Sequence, residues 1–86
     1  MSDELVGAAY FSAQRYDEAV PYYLKLIDHF HDNADKTMDL AQMLCIAYEQ
    51  TGKFSECRLL LESAQKRFPK QFRIKGLQHQ LSRLPK

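Results

Sequence analysis

Along most of the chain, apolar residues recur three or four places apart, the period of helices that bury one face. Leu5, Ala8, Ala9 and Ser12 or Ala13 form a stripe of small residues over Ser2 to Ala13, with Gly7 and Tyr10 beside it. Ser2 can cap this helix, and Asp3 and Glu4 oppose the positive end of its dipole. Gln14-Arg15 reads as a short turn. Tyr16, Ala19, Val20, Tyr23, Leu26, Ile27 and Phe30 then mark a second helix that starts near Tyr16 or Asp17. Pro21 is expected in or next to its first turn, where a missing N–H costs little. His31 to Thr37 is polar and reads as a loop, with Asp35 or Thr37 capping a third helix. Leu40, Ala41, Leu44, Cys45, Ala47 and Tyr48 form the buried side of that helix, which Thr51-Gly52 ends. A fourth helix, opening at Ser55, carries Cys57, Leu60, Leu61, Ala64 and Phe68 until Pro69 stops it. A fifth, from about Phe72 to Leu84, places Phe72, Ile74, Leu77, Leu81 and Leu84 at the spacing of a docked end cap. The pattern predicts an all-α chain of five helices.

Composition changes this picture little. With 86 residues the chain holds one domain at most, and its 45% apolar and 27% charged content is that of a folding sequence. No apolar run approaches the roughly 20 residues of a membrane span, and Met1-Ser2-Asp3-Glu4 lacks the basic start of a signal peptide. A cytoplasmic location is expected. Charge adds more. Residues 1–39 hold eight acids and three bases, whereas residues 40–86 hold three acids and nine bases, so a net charge of +1 conceals a dipole. The basic end could steer an acidic partner or serve only as a solvated helix end.

A fixed internal period organises the helices. Tyr10 matches Tyr48, Tyr16 matches Phe54, Glu18 matches Glu56, Ala19 matches Cys57, Tyr23 matches Leu61, Leu26 matches Ala64 and Phe30 matches Phe68, each pair 38 residues apart. Gly7-Ala8-Ala9-Tyr10-Phe11, then Tyr16-Asp17-Glu18-Ala19-Val20 and Tyr23, resembles the tetratricopeptide repeat, a unit of about 34 residues that pairs two antiparallel helices. Leu44, Tyr48, Gly52, Phe54, Glu56, Ala64 and Pro69 keep the matching places in the second unit. The resemblance implies a short α-solenoid: repeat one over about 1–33, repeat two over about 37–69 and a capping helix over about 71–84. Gln14 stands where the family prefers glycine, a place that Gly52 fills in the second unit. The four extra residues between units are expected in the loop from His31 to Thr37. Two units fall short of the three or so that usually stabilise a stack, which suggests a fragment of a longer array or pairing with another copy.

The resemblance also implies a concave groove lined by the first helix of each unit. It places Glu4, Ala8, Phe11 and Ser12 there from the first unit, and Asp39, Gln42, Ile46, Glu49 and Gln50 from the second. Such a groove, apolar at Phe11 and Ile46 and acidic at Glu4, Asp39 and Glu49, suits a peptide with apolar anchors and some basic character. Plain solvent exposure is the alternative reading of these positions. One subset of the family grips a terminal carboxylate with lysine, asparagine and arginine; Glu4, Ala8 and Met43 stand here instead, which argues against that function. Leu59-Leu60-Leu61 is too wide for one helix face. With Tyr22, exposed Leu59 suggests a second surface, to which basic Arg73 and Lys75 could add a contact for polyanions; scattered exposed leucines are also ordinary.

Cys45 and Cys57 replace Gly7 and Ala19, the places where the family's paired helices approach most closely. They are expected to be buried reduced thiols used as small packing residues. A disulfide is the sharper alternative if their α-carbons lie within about 7 Å. His29 and His31, with Asp28, Asp32 and Asp35, form the metal-like cluster of the sequence, but alternate residues at a helix end point apart, and no metal is expected. His79 has no evident ligand partners. No phosphate loop, zinc-protease helix or nucleophile elbow is present, so neither a cofactor nor catalysis is expected. The sequence is therefore read as a protein-interaction adaptor or chaperone-like scaffold that binds a peptide or protein. A self-associating structural module is the alternative, and a nucleic-acid or polyanion binder ranks last.

Overall fold

A computed structural model describes residues 3–69 and 74–84. Among them are five helices and no strand: α1 Asp3–Ser12, α2 Tyr16–His29, α3 Ala34–Gln50, α4 Phe54–Arg67 and α5 Ile74–Arg83. Each helix packs on the next in the chain, the arrangement of antiparallel pairs stacked side by side. The core runs through the middle of this stack. Tyr23, Met38, Leu44, Leu61 and Leu77 are its largest fully buried side chains, and Ala19, Ala41, Ala47 and Ala64 let the helix axes come close. Leu77 and Leu84 bring α5 into the same core. Phe72 lies outside the described residues.

Both helix pairs are joined by the same turn. Gln14 N–H donates to the Phe11 carbonyl and Arg15 N–H to the Tyr10 carbonyl; 38 residues on, Gly52 N–H donates to Glu49 and Lys53 N–H to Tyr48. This doubled bond satisfies carbonyls that a helix end leaves open and requires a left-handed residue just beyond the helix. Gln14 and Gly52 are those residues, with φ of 62° and 76°. Glutamine occupies that region only at a cost, because its Cβ crowds the backbone.

Several starts and stops differ from the expected ones. The loop between repeats is confined to residues 30–33, and the first turn of α3 takes up residues 34–37, so α3 spans 17 residues. Asn33, and neither Asp35 nor Thr37, caps it: Asn33 Oδ1 accepts from Lys36 N–H at 3.0 Å. Thr37 instead turns its hydroxyl back to the Phe30 carbonyl, 2.8 Å away. The extra length of the second unit thus became helix, because asparagine offered a cap before the polar run had ended. Lys53 precedes α4 and Phe54 opens it, so Ser55 has no capping role; the tight turn at Gly52 delivers the chain already in helical register. Pro21 stands in the second turn of α2 and is exposed, which confines its missing hydrogen bond to the solvent side.

The two helix crossings are tight for different reasons. At the first, a Cβ placed on Gly7 would stand 3.1 Å from Tyr22 Cβ, so glycine lets α1 and α2 approach without displacing Tyr22. At the matching place in the second pair, Cys45 and Cys57 are joined as a disulfide with their α-carbons 4.7 Å apart. The reduced thiols expected from packing are thus replaced by a covalent bond, because the crossing brings the two backbones within bridging distance.

Two stability predictions follow from these features. Gln14→Gly should raise the free energy of unfolding by about 0.5 kcal/mol, and Gly52→Ala should lower it by about 1 kcal/mol, in urea titrations followed by circular dichroism. Nothing lies within 4 Å of a Cβ at Gly52, so its cost is one of backbone alone. Reducing the disulfide should cost about 2–3 kcal/mol, the loop-closure entropy of a link this short, and the reduced chain should melt earlier with its helical spectrum retained below the transition.

Candidate functional site

A cleft of about 390 Å³ opens between α1 and α3. Glu4 and Ala8, one helical turn apart, form the α1 wall, and Lys36, Asp39, Leu40, Gln42, Met43 and Ile46 form the α3 wall. Tyr23 of α2 lines it from below, 2% exposed. A second cleft of about 270 Å³, between α3 and α5, is lined by Gln42, Ile46, Gly76, His79, Gln80 and Arg83. Gln42 and Ile46 belong to both, so the two clefts join into one trough across α1, α3 and α5. α5 lies against α3 here: a Cβ on Gly76 would stand 3.2 Å from Gln42 Nε2, the mobile end of its side chain.

Five of the nine expected groove residues meet in the first cleft: Glu4, Ala8, Asp39, Gln42 and Ile46. The other four do not line it. Phe11 is half-buried and turned edge-on to Tyr16 and Tyr23, with ring centroids 5.3 and 6.1 Å away, because α1 ends there and α2 folds back against it. Ser12 is exposed outside both clefts. Glu49 binds α5, accepting from Gln80 Nε2 at 3.3 Å and lying 4.0 Å from Arg83. Gln50 lies at the opposite end, beside the turn residues Gln14 and Arg15.

The second surface does not assemble as expected. Tyr22 packs on α1, its ring 5.7 Å from that of Tyr10 and its Cβ against Gly7, with Lys25 Nζ 5.8 Å over the ring. Leu59 is 68% exposed and Lys75 is exposed, while Arg73 lies outside the described residues. The register step between Tyr22 and Leu59 put one on the packed side of its helix and the other on the solvent side. At the histidines, His31 lies 2.9 Å from the Asp28 carbonyl and 3.2 Å from the Asp32 carboxylate. Among the described residues no group of three or more histidine, cysteine, aspartate or glutamate side chains converges as metal ligands would.

Sequence reasoning missed the polar centre of the cleft. Lys36 Nζ bonds Glu4 Oε1 across its mouth and lies 5.3 Å from the centroid of the Phe30 ring. Lys36 falls in the polar stretch that reads as a loop, where its helical spacing from Asp39 and Met43 carries no signal. The Tyr23 hydroxyl is buried and has no hydrogen-bond partner. Burial, and then the charge of Glu4, push its pKa above the ordinary tyrosine value. Tyr48 is raised in the same way, by burial and by Glu56 against a smaller opposing effect of Lys53. The α5 residues of the trough could have been found by treating the capping helix as a third inner helix.

Paired helices with an open inner trough define a helical-repeat scaffold. The family model for the tetratricopeptide repeat matches residues 10–81, and the chain belongs to that family. Its repeats generally mediate protein–protein interaction and are in general a non-catalytic scaffold. Searches of curated proteins and of solved structures returned no match. Among the described residues no helix is long and apolar enough to cross a membrane.

The tyrosines set an alkaline limit. Both phenols hold their protons more tightly in the fold than in the unfolded chain, so the unfolded chain ionises first and stability declines as pH rises past about 10. Urea midpoints at pH 8 and pH 10.5 should show this drop, and Tyr23→Phe should reduce it.

Proposed function

We propose that the chain is a protein-interaction adaptor that holds a partner peptide in the trough formed by α1, α3 and α5. The observation that carries this reading is the union of the two clefts through Gln42 and Ile46. Ile46 is an exposed apolar side chain at their junction, where it can cover a partner's apolar residue without disturbing the core. Glu4 and Asp39 give the α1 end acidic character, and Arg83 gives the α5 end basic character. A segment with its own charges separated along its length fits such a trough, and complementary charge adds specificity and speeds encounter.

Phe11 is excluded as an anchor in this reading, since its ring serves the α1–α2 contact. Ile46→Glu should therefore abolish partner capture while the melting curve and helical spectrum stay close to wild type. Phe11→Glu should instead lower the melting temperature. Pull-down with the bait at equal folded concentration checks both, and capture unchanged by Ile46→Glu would remove the trough as the binding surface.

A further inference from the structure

We propose that the Cys45–Cys57 disulfide is a redox switch for the trough: closed, it keeps α5 seated on α3 through Glu49, and opened by a dithiol reductant, it loosens α5. The proposal adds a regulation to the trough and takes its functional meaning from the reading of that trough as a peptide site. The coupling of the disulfide to α5 stands on separate observations. One is the repeat itself. Gly7 and Ala19 serve the first crossing without sulfur, so close packing alone does not call for Cys45 and Cys57 at the equivalent places. What the cysteines add there is a bond that can be broken and remade.

The other observation is a line of contacts from the sulfur to the α5 wall of the trough. Glu49 Oε1 lies 3.9 Å from Cys57 Sγ and accepts from Gln80 Nε2 at 3.3 Å. Glu49 Oε2 lies 4.0 Å from Arg83. Gln80 and Arg83 both line the α3–α5 cleft, and Gln80 is 8% exposed. One carboxylate therefore meets the disulfide on one side and the α5 wall on the other. A bonded sulfur carries no proton, so in the disulfide Cys57 does not compete with Gln80 for Oε1. In the dithiol each sulfur gains a proton and finds an acceptor in place: the Cys57 carbonyl, 3.2 Å from Cys45 Sγ, and Glu49 Oε1 for Cys57. The Cys57 thiol then contests the oxygen that Gln80 holds by a long bond. Two unbonded sulfurs also take more room than a bonded pair. Both cysteines are fully buried with their α-carbons 4.7 Å apart, so that room is taken from their neighbours, Glu49 among them. A buried Gln80 amide that loses its acceptor favours the undocked helix, where water replaces the carboxylate.

Reduction proceeds by exchange. A thiolate of the reductant attacks one sulfur, the S–S bond breaks, and the other sulfur leaves with the electron pair and takes up a proton. The reductant's second thiol, giving up its proton, then displaces the first sulfur, which is protonated in turn. Two electrons and two protons pass to the protein, and the reductant becomes a cyclic disulfide. A partner that binds better with α5 docked favours the disulfide, and by linkage reduction weakens that partner's hold by the same factor.

Hydrogen exchange of the intact chain, read by mass spectrometry in the oxidised state and after reduction with dithiothreitol, tests this. The α5 amides should exchange about tenfold faster in the reduced chain, while those of α1 and α2 keep their rates within about twofold. Glu49→Ala should bring the fast α5 exchange into the oxidised chain and abolish the further response to dithiothreitol. A disulfide that served stability alone would speed exchange in all five helices alike, and that result overturns the switch. So does an α5 that exchanges equally in both states, or a Glu49→Ala chain that keeps the full response. None of these readouts involves a partner, so they stand apart from the capture experiment on Ile46→Glu. Capture unchanged by Ile46→Glu would remove the site that the switch regulates, whatever the exchange of α5 shows.

Discussion

How closely two helices of a pair can cross is the constraint on which the rest of this structure depends. At the first crossing the distance is set by the lack of a side chain on Gly7, against which Tyr22 rests. At the second the close approach lets Cys45 and Cys57 bond, with α-carbons 4.7 Å apart. Gly7 and Cys45 are equivalent in the repeat, as are Ala19 and Cys57. Equivalent positions thus carry different chemistries: a missing side chain in the first pair and a covalent bond in the second. The turns at Gln14 and Gly52 hold matching bonds in the two pairs, and the inner helices fall into one row that α5 extends.

The trough is a consequence of that row. A helix presents residues three and four apart on one face, and with α2 packed on both α1 and α3, Glu4 and Ala8 face Lys36, Asp39, Met43 and Ile46 across an open cleft. The core below them is largely apolar. An unpartnered buried phenol at Tyr23 and an ion pair between Glu4 and Lys36 are features that packing for stability alone does not call for. Where consistency between local preference and fold breaks down, a functional reason is the usual physical explanation.

Much of this was legible in the residues taken alone. Periodic apolar positions gave the helices, because burying one face at 3.6 residues per turn leaves an unmistakable spacing. The 38-residue repeat marked the places of closest approach, including both cysteines. The loop between the units was misread, because polarity does not distinguish a loop from the exposed first turn of a helix; Asn33 decided that by capping early. Phe11 was misplaced for a related reason. Its position in α1 is that of a groove residue, but α2 returns close enough for Tyr16 and Tyr23 to claim its ring.

What the sequence determined by itself is local and periodic: the helical stripes, the left-handed turn sites and the pairing of equivalent positions through the repeat. Each of these depends on neighbours within a few turns or on a fixed offset. The tertiary structure decided which charges meet. Glu4 and Lys36 are 32 residues apart, Glu49 and Gln80 are 31 apart, and neither pair belongs to any repeat offset. Their meeting follows from how far α1, α3 and α5 are rotated and pressed together. The same packing left the buried Tyr23 hydroxyl without a partner, although its place in the repeat marked it only as core.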